Sequence, residues 1–136
     1  MMRMRLVTSI IYITVICMAV GCALTQPPDF SPLSRADRIE IKTGMNQPVK
    51  AVTEPAQIKA VADFVEHYQA GFGIPWLGAP IPKYVLNFYQ GDQDLGGFGI
   101  GVSFLSAGPM NLLTQEITER ERDEVLKLLG LEWSNG

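Results

Sequence analysis

The sequence predicts an α+β domain: an antiparallel sheet of about five strands with two helices on one face, in the order β-β-α-β-β-β-α. Three observations point there. Several short stretches alternate apolar and polar residues with a period of two, the mark of a half-buried strand. Two longer stretches repeat their apolar residues three and four apart, the mark of a helix with one buried face. The strands come in runs beside the helices rather than alternating with them one by one, which favours an antiparallel sheet.

The first strand is "DRIEIKT", where Ile39 and Ile41 face one way and Arg38, Glu40 and Lys42 the other. "GMNQP" turns the chain, and "VKAVT" returns as a shorter strand. In "TEPAQIKAVADFVEHYQAG" the residues Ile58, Val61, Ala62, Val65 and Tyr68 make one helical stripe, with Phe64 beside it. Thr53 is the expected cap, Glu54 suits the positive end of the helix dipole, Pro55 is tolerated in a first turn, and Gly71 ends the run. "KYVLNFYQ" alternates Tyr84, Leu86 and Phe88 against Val85, Asn87 and Tyr89. "GDQDLGG" reads as a turn, and "FGIGVSFL" as the returning strand, with Phe98, Ile100, Val102 and Phe104 on one face and Gly99, Gly101 and Ser103 on the other. "AGP" turns the chain again and "MNLLTQEI" offers another strand. In the last helix Thr118 and Glu121 have capping-box spacing. Val125, Leu128 and Leu129 make its stripe, with Leu126 at the margin, and Gly130 stops it.

The N-terminus is built differently. Residues 6 to 24 carry no charge, and Arg3 and Arg5 precede them. A basic start, an apolar stretch and small residues at its end make a secretory signal. An uncleaved anchor and plain secretion are the competing readings, since about 18 apolar residues also suffice to span a bilayer. "AVGC", Ala19 to Cys22, resembles the lipobox of bacterial lipoproteins. That resemblance implies a diacylglyceryl group on the Cys22 sulfur, cleavage after Gly21 and acylation of the new N-terminus. Ala19 departs from the leucine most common at its position. Ala23, rather than aspartate, follows Cys22, which implies outer-membrane delivery in a Gram-negative cell. The expected organisation is a signal peptide at 1–21, a lipidated cysteine with a Pro-rich tether at 22–34, and one α+β domain at 35–136.

Composition excludes several classes of function. The chain carries 11 basic and 14 acidic residues, and Arg3 and Arg5 leave with the signal. The nine that remain against fourteen give the mature chain a net charge of −5, with no basic stripe for nucleic acid. Residues 23 to 136 contain no cysteine, so no disulfide staples the domain.

Catalytic and metal-binding patterns are equally sparse. His67 is the only histidine, which leaves no His/Cys ligand set and makes it the one possible triad base. On an amphipathic helix beside Glu66 it reads first as a partly exposed side chain. Asp92 and Asp94 match the start of a calcium loop, but Ser103 stands where a bidentate Glu is needed. "ERERDE", with Glu119, Glu121, Asp123 and Glu124 around Arg120 and Arg122, reads as a solvated helix face. "GGFGIG" lies on a strand, away from any strand-to-helix turn, so it is no dinucleotide fingerprint. No catalytic residue, metal or cofactor is assigned.

What stands out is a surface. "GFGIPWLGAPIP", residues 71 to 82, joins Phe72, Trp76 and Leu77 to glycines and prolines, and Gly99 with Gly101 makes a strand face almost free of side chains. Trp76 can roof those glycines from within, serve as an anchor for a partner, or line a small-molecule pocket. The reading that follows is a membrane-anchored envelope lipoprotein, a non-catalytic interaction or assembly module. A ligand-binding lipoprotein with a groove between the loop and the glycine strand is the alternative, and an enzyme using His67 comes third. The expected partners are the membrane, an envelope protein and, since a one-sided sheet invites it, a second copy of the chain.

Overall fold

The computed structural model describes residues 27–75 and 78–135; the leader, Cys22, Trp76 and Leu77 lie outside them. The elements are β1 (Arg38–Thr43), β2 (Pro48–Val52), α1 (Pro55–His67), β3 (Tyr84–Gln90), β4 (Gln93–Ile100), β5 (Phe104–Ala107), β6 (Leu113–Glu116) and α2 (Glu119–Leu128). The strands form one antiparallel sheet in the order β2-β1-β3-β4-β5-β6. This is the α+β architecture the sequence predicts, with six strands where about five are expected.

Alternation fixes which face is buried. Ile39 and Ile41, Leu86 and Phe88, Phe98 and Ile100, and Leu105 and Ala107 all project into the core. Ile58, Val61, Ala62 and Val65 of α1, and Val125, Leu126 and Leu129 of α2, close it from one side. Leu126 is therefore central and Leu128 marginal, the reverse of the expected order. Phe98 lies at the centre, stacked on Phe88 at 6.1 Å and edge-on to Phe30 at 6.3 Å.

The two helices run antiparallel and are tied at both ends. Gln57 donates from Nε2 to the Leu128 carbonyl (2.7 Å), satisfying an oxygen the end of α2 leaves free. At the other end the Tyr68 hydroxyl donates to Glu121, which also completes the capping box with Thr118. α2 stops in a Schellman motif: Leu131 N–H donates to Leu126 O (2.8 Å), Gly130 N–H to Lys127 O (3.1 Å), and Gly130 takes φ +70°. α1 has no side-chain cap, because Glu54 rather than Thr53 occupies the cap position. It ends at His67, and a 3-10 turn, Gln69–Gly71, separates it from the expected stop at Gly71.

Three boundaries differ from the sequence reading, each for a local reason. The expected tether stops short, because Phe30 and Leu33 are core residues. Asp29, one residue before the cap position of the turn Ser31–Arg35, accepts from the Ser31 hydroxyl (2.7 Å) and amide (3.0 Å), and that holds its carboxyl below the usual range. The expected turn at 91–97 shrinks to Gly91–Asp92; Leu95–Gly96 is instead a bulge inside β4, where Gly96 takes φ +99°. The expected strand through Phe104 breaks at Val102–Ser103, and Gly101 N–H donates to Phe104 O (2.8 Å) across the turn. That break creates β5 as a separate strand and sends Phe104 to the opposite face from Phe98 and Ile100.

Close approach makes Gly97 irreplaceable: a Cβ there would lie 1.8 Å from the Leu86 carbonyl oxygen, whereas one at Gly73 would meet nothing within 4 Å. Gly97→Ala should cost about 1–3 kcal/mol in urea unfolding and Gly73→Ala under about 0.5. The helix tie predicts a pH dependence. Burial and the Glu121 carboxylate push the Tyr68 phenol up to about 12, while Tyr68 and Thr118 hold Glu121 below its usual range. The Tyr68 contribution is therefore complete below the free phenol value of 10.0 and is lost as pH rises through about 12. The Glu121 contribution is present above the ordinary carboxylate range and is lost as pH falls through its lowered value. Tyr68→Phe should flatten the alkaline limb of a stability–pH curve measured by urea unfolding.

Candidate functional site

The described ends of the loop between α1 and β3 both meet the sheet. Phe72 is half-buried, edge-on to Phe30 at 5.5 Å, so its ring belongs to the margin of the core. Gly73 then pairs with Thr114 in both directions (2.9 and 2.8 Å), adding one bridge to the outer side of β6. At its far end Pro82 is buried over the second face of the sheet, and Lys83 N–H donates to Ile100 O (2.9 Å) as β3 begins.

This geometry corrects the expected surface. Gly99 and Gly101 are buried, not bare to a partner. Pro82 and the Ser106 hydroxyl fill the space at Gly99, with Pro82 Cβ 2.8 Å from where a glycine Cβ would stand, and the Phe104 ring fills it at Gly101 (2.0 Å). The loop and the glycine strand therefore touch at Pro82, where a ligand groove was expected. The sequence signal was sound, since side-chain-free positions do admit a close neighbour, but the neighbours come from the chain itself. Of the five residues expected on one surface, Phe72 packs inward, Gly99 and Gly101 are covered, and Trp76 and Leu77 lie outside the described residues.

Other expected chemistry is scattered. His67 is exposed on the last turn of α1, its ring edge-on to Tyr68 at 5.2 Å. Asp92 and Asp94 are exposed at the β3–β4 tip, where Asp94 accepts from the Gly96 amide (2.8 Å). Among the described residues no group of three or more His, Cys, Asp or Glu side chains could hold a metal ion.

One constellation was missed. Arg122, expected on a solvated face, is buried. Its Nη1 donates to the Val102 carbonyl (2.9 Å), and Nε and Nη2 both reach Asp123 Oδ1 at 3.0 Å. The guanidinium lies over the Trp133 ring (4.4 Å to the centroid), and Lys83 Nζ approaches the same ring at 4.5 Å. Lys83 also donates to the carbonyl and hydroxyl of Ser134. Together these fasten residues 131–135 beside α2 and leave an open cleft of about 760 Å³, whose lining includes Val102, Glu119, Asp123, Lys127 and Glu132. Its mixed charge suits a polar occupant better than an apolar one. Spacing could have revealed it: Arg122 falls three, four and seven residues before Val125, Leu126 and Leu129, and so on their stripe.

Val102 is an exposed apolar residue of this cleft, and Met45, Val49 and Ile81 are exposed singly on other loops and strands; three more fall on two segments that meet. Ile74, Met110 and Leu112 are 68%, 87% and 47% exposed, and the Gly73–Thr114 bridge brings their two segments together. Met110 and Asn111 both take left-handed backbone, φ 57° and 55°, which is unfavourable for a methionine.

Arg122→Ala should cost about 2–3 kcal/mol in urea unfolding, because it removes a buried side chain together with its hydrogen bond to the Val102 carbonyl and uncovers the Trp133 face. Arg122→Lys should recover little of this, since an ammonium cannot reproduce the forked geometry. Phe72→Ala should cost about 2 kcal/mol, which an exposed anchor would not. No family model, curated protein or solved structure matches the chain.

Proposed function

We propose that the protein is a membrane-anchored lipoprotein of the cell envelope, a non-catalytic interaction module held to a bilayer through Cys22. The observation that carries this reading is the short distance along the chain between Cys22 and the fold. Phe30, only eight positions on, is already a core residue. A charge-free apolar leader runs into a cysteine, a few proline-rich residues follow, and the domain begins. Two or three acyl chains, at about 0.8 kcal/mol per buried methylene, hold a protein durably at a bilayer where one does not.

The exposed apolar residues Ile74, Met110 and Leu112 supply the contact surface in this reading, replacing the glycine face. His67 is exposed on the last turn of α1, which gives the enzymatic alternative no support. The cleft beside Trp133 favours a polar ligand over the apolar one first considered.

Intact-mass spectrometry of protein expressed with its leader tests the anchor. The expected mass is that of residues 22–136 plus diacylglyceryl and acyl groups, in the membrane fraction. Cys22→Ser should leave the protein unacylated and release it from the cleaved, lipid-held pool. A full-length, unmodified chain in the soluble fraction of the wild type would overturn the proposal.

A further inference from the structure

We infer that the apolar tip formed by Ile74, Met110 and Leu112 rests in the headgroup region of the same bilayer that holds Cys22, so that the domain lies against the membrane in one orientation instead of swinging on its tether. The inference rests on the lipid anchor proposed above and names the partner of that surface.

Three features of the chain converge on it. The first is where the tether leaves the fold. The Phe30 ring lies 5.5 Å from Phe72, two residues before Ile74, so the segment leading back to Cys22 departs beside the tip. Seven residues separate Cys22 from Phe30, and a fully extended chain spans at most about 3.3–3.6 Å per residue. The acylated cysteine is thus confined to within about 28 Å of Phe30, less than the width of a small domain.

The second feature is charge. No charged residue occurs between His67 and Lys83, or between Asp94 and Glu116, the two stretches that supply the tip. The mature chain is acidic overall, and an anionic leaflet repels acidic groups. These two uncharged stretches can therefore approach a bilayer closely, with Asp29 the charge beside them at the tether exit.

The third feature is the backbone. Met110 is held in a left-handed conformation with its side chain 87% exposed, an arrangement that spends backbone strain on presenting an apolar group to the outside. Three such side chains are too few to hold a free protein on a membrane. A short tether changes this, because it raises the effective concentration of the tip at the surface to the millimolar range. Docking is then an intramolecular step that follows anchoring.

The test uses the full chain, expressed with its leader, purified in acylated form and reconstituted into phosphatidylcholine vesicles. Cys17 leaves with the leader and Cys22 carries lipid, so Met110→Cys, Leu112→Cys or, on exposed α1, Glu66→Cys each supplies a single free thiol for an environment-sensitive fluorophore. Spin-labelled lipids should quench the labels at 110 and 112 several-fold more than the label at 66. Equal, weak quenching at all three sites would overturn the inference. So would protection at 110 that persists in detergent alongside a Met110→Cys disulfide dimer, which would assign the tip to a second copy. Intact mass of the same preparations separates the two proposals: acylated protein with water-facing labels sinks only this inference, whereas unacylated wild-type protein sinks the anchor as well.

Discussion

The register between β3 and β4 is the constraint on which the rest depends. Leu86 pairs with Phe98 and Asn87 with Gly97, and at that point the two backbones approach too closely for any side chain on Gly97. A slip of one residue would turn Phe98 and Ile100 outward and bring glycines into the core. No disulfide is available among residues 23 to 136 to enforce the alignment, so it rests on packing alone. The bulge at Leu95–Gly96 absorbs the one extra residue and keeps the apolar positions in phase on either side of it. Phe98 then becomes the floor on which the Phe30 and Phe88 rings settle.

Arg122 shows how a charge is accommodated in such a core. Its guanidinium is desolvated, yet it is matched by a carbonyl, a carboxylate and an indole face. The Val102 carbonyl it binds sits at the tip of the β4–β5 turn, so a helix near the end of the chain holds a hairpin that precedes it. Trp133, in turn, joins that arginine to Lys83 at the start of β3. The closing residues of the chain thereby bridge the beginning and the end of the glycine-rich hairpin.

The parts of the fold legible in the sequence are those governed by period. Alternation located β1 and β3, helical spacing located both helices, and local chemistry located the capping box and the stop at Gly130. Where long-range contacts decided the outcome, local pattern failed. Nothing between Phe98 and Phe104 announces a reversal, because the group that holds the Val102 carbonyl is twenty residues away. The same distance hid the cleft: Arg122 among five other charged residues looks solvated until its place on the Val125–Leu126–Leu129 stripe is counted. Gly99 and Gly101 were rightly read as sites of close approach, but sequence has no means of distinguishing an outside visitor from Pro82 and Phe104. Phe30 and Leu33 were masked by their proline-rich neighbours, which suggest a linker even where two apolar side chains reach the core.

Among the described residues the β2 edge of the sheet is open: β2 pairs only with β1, and all of it except Val52 is exposed. An unpaired strand is a template on which other chains can polymerise, and molecules fastened to a shared surface would meet it often. Here the template is defective: Pro48 has no N–H to offer, the register slips at Ile41–Lys42, and Lys50 folds its ammonium toward Gly130 at the negative end of α2. Copies packed side by side would thus find no continuous ladder to extend, which protects a crowded population from coalescing into fibres.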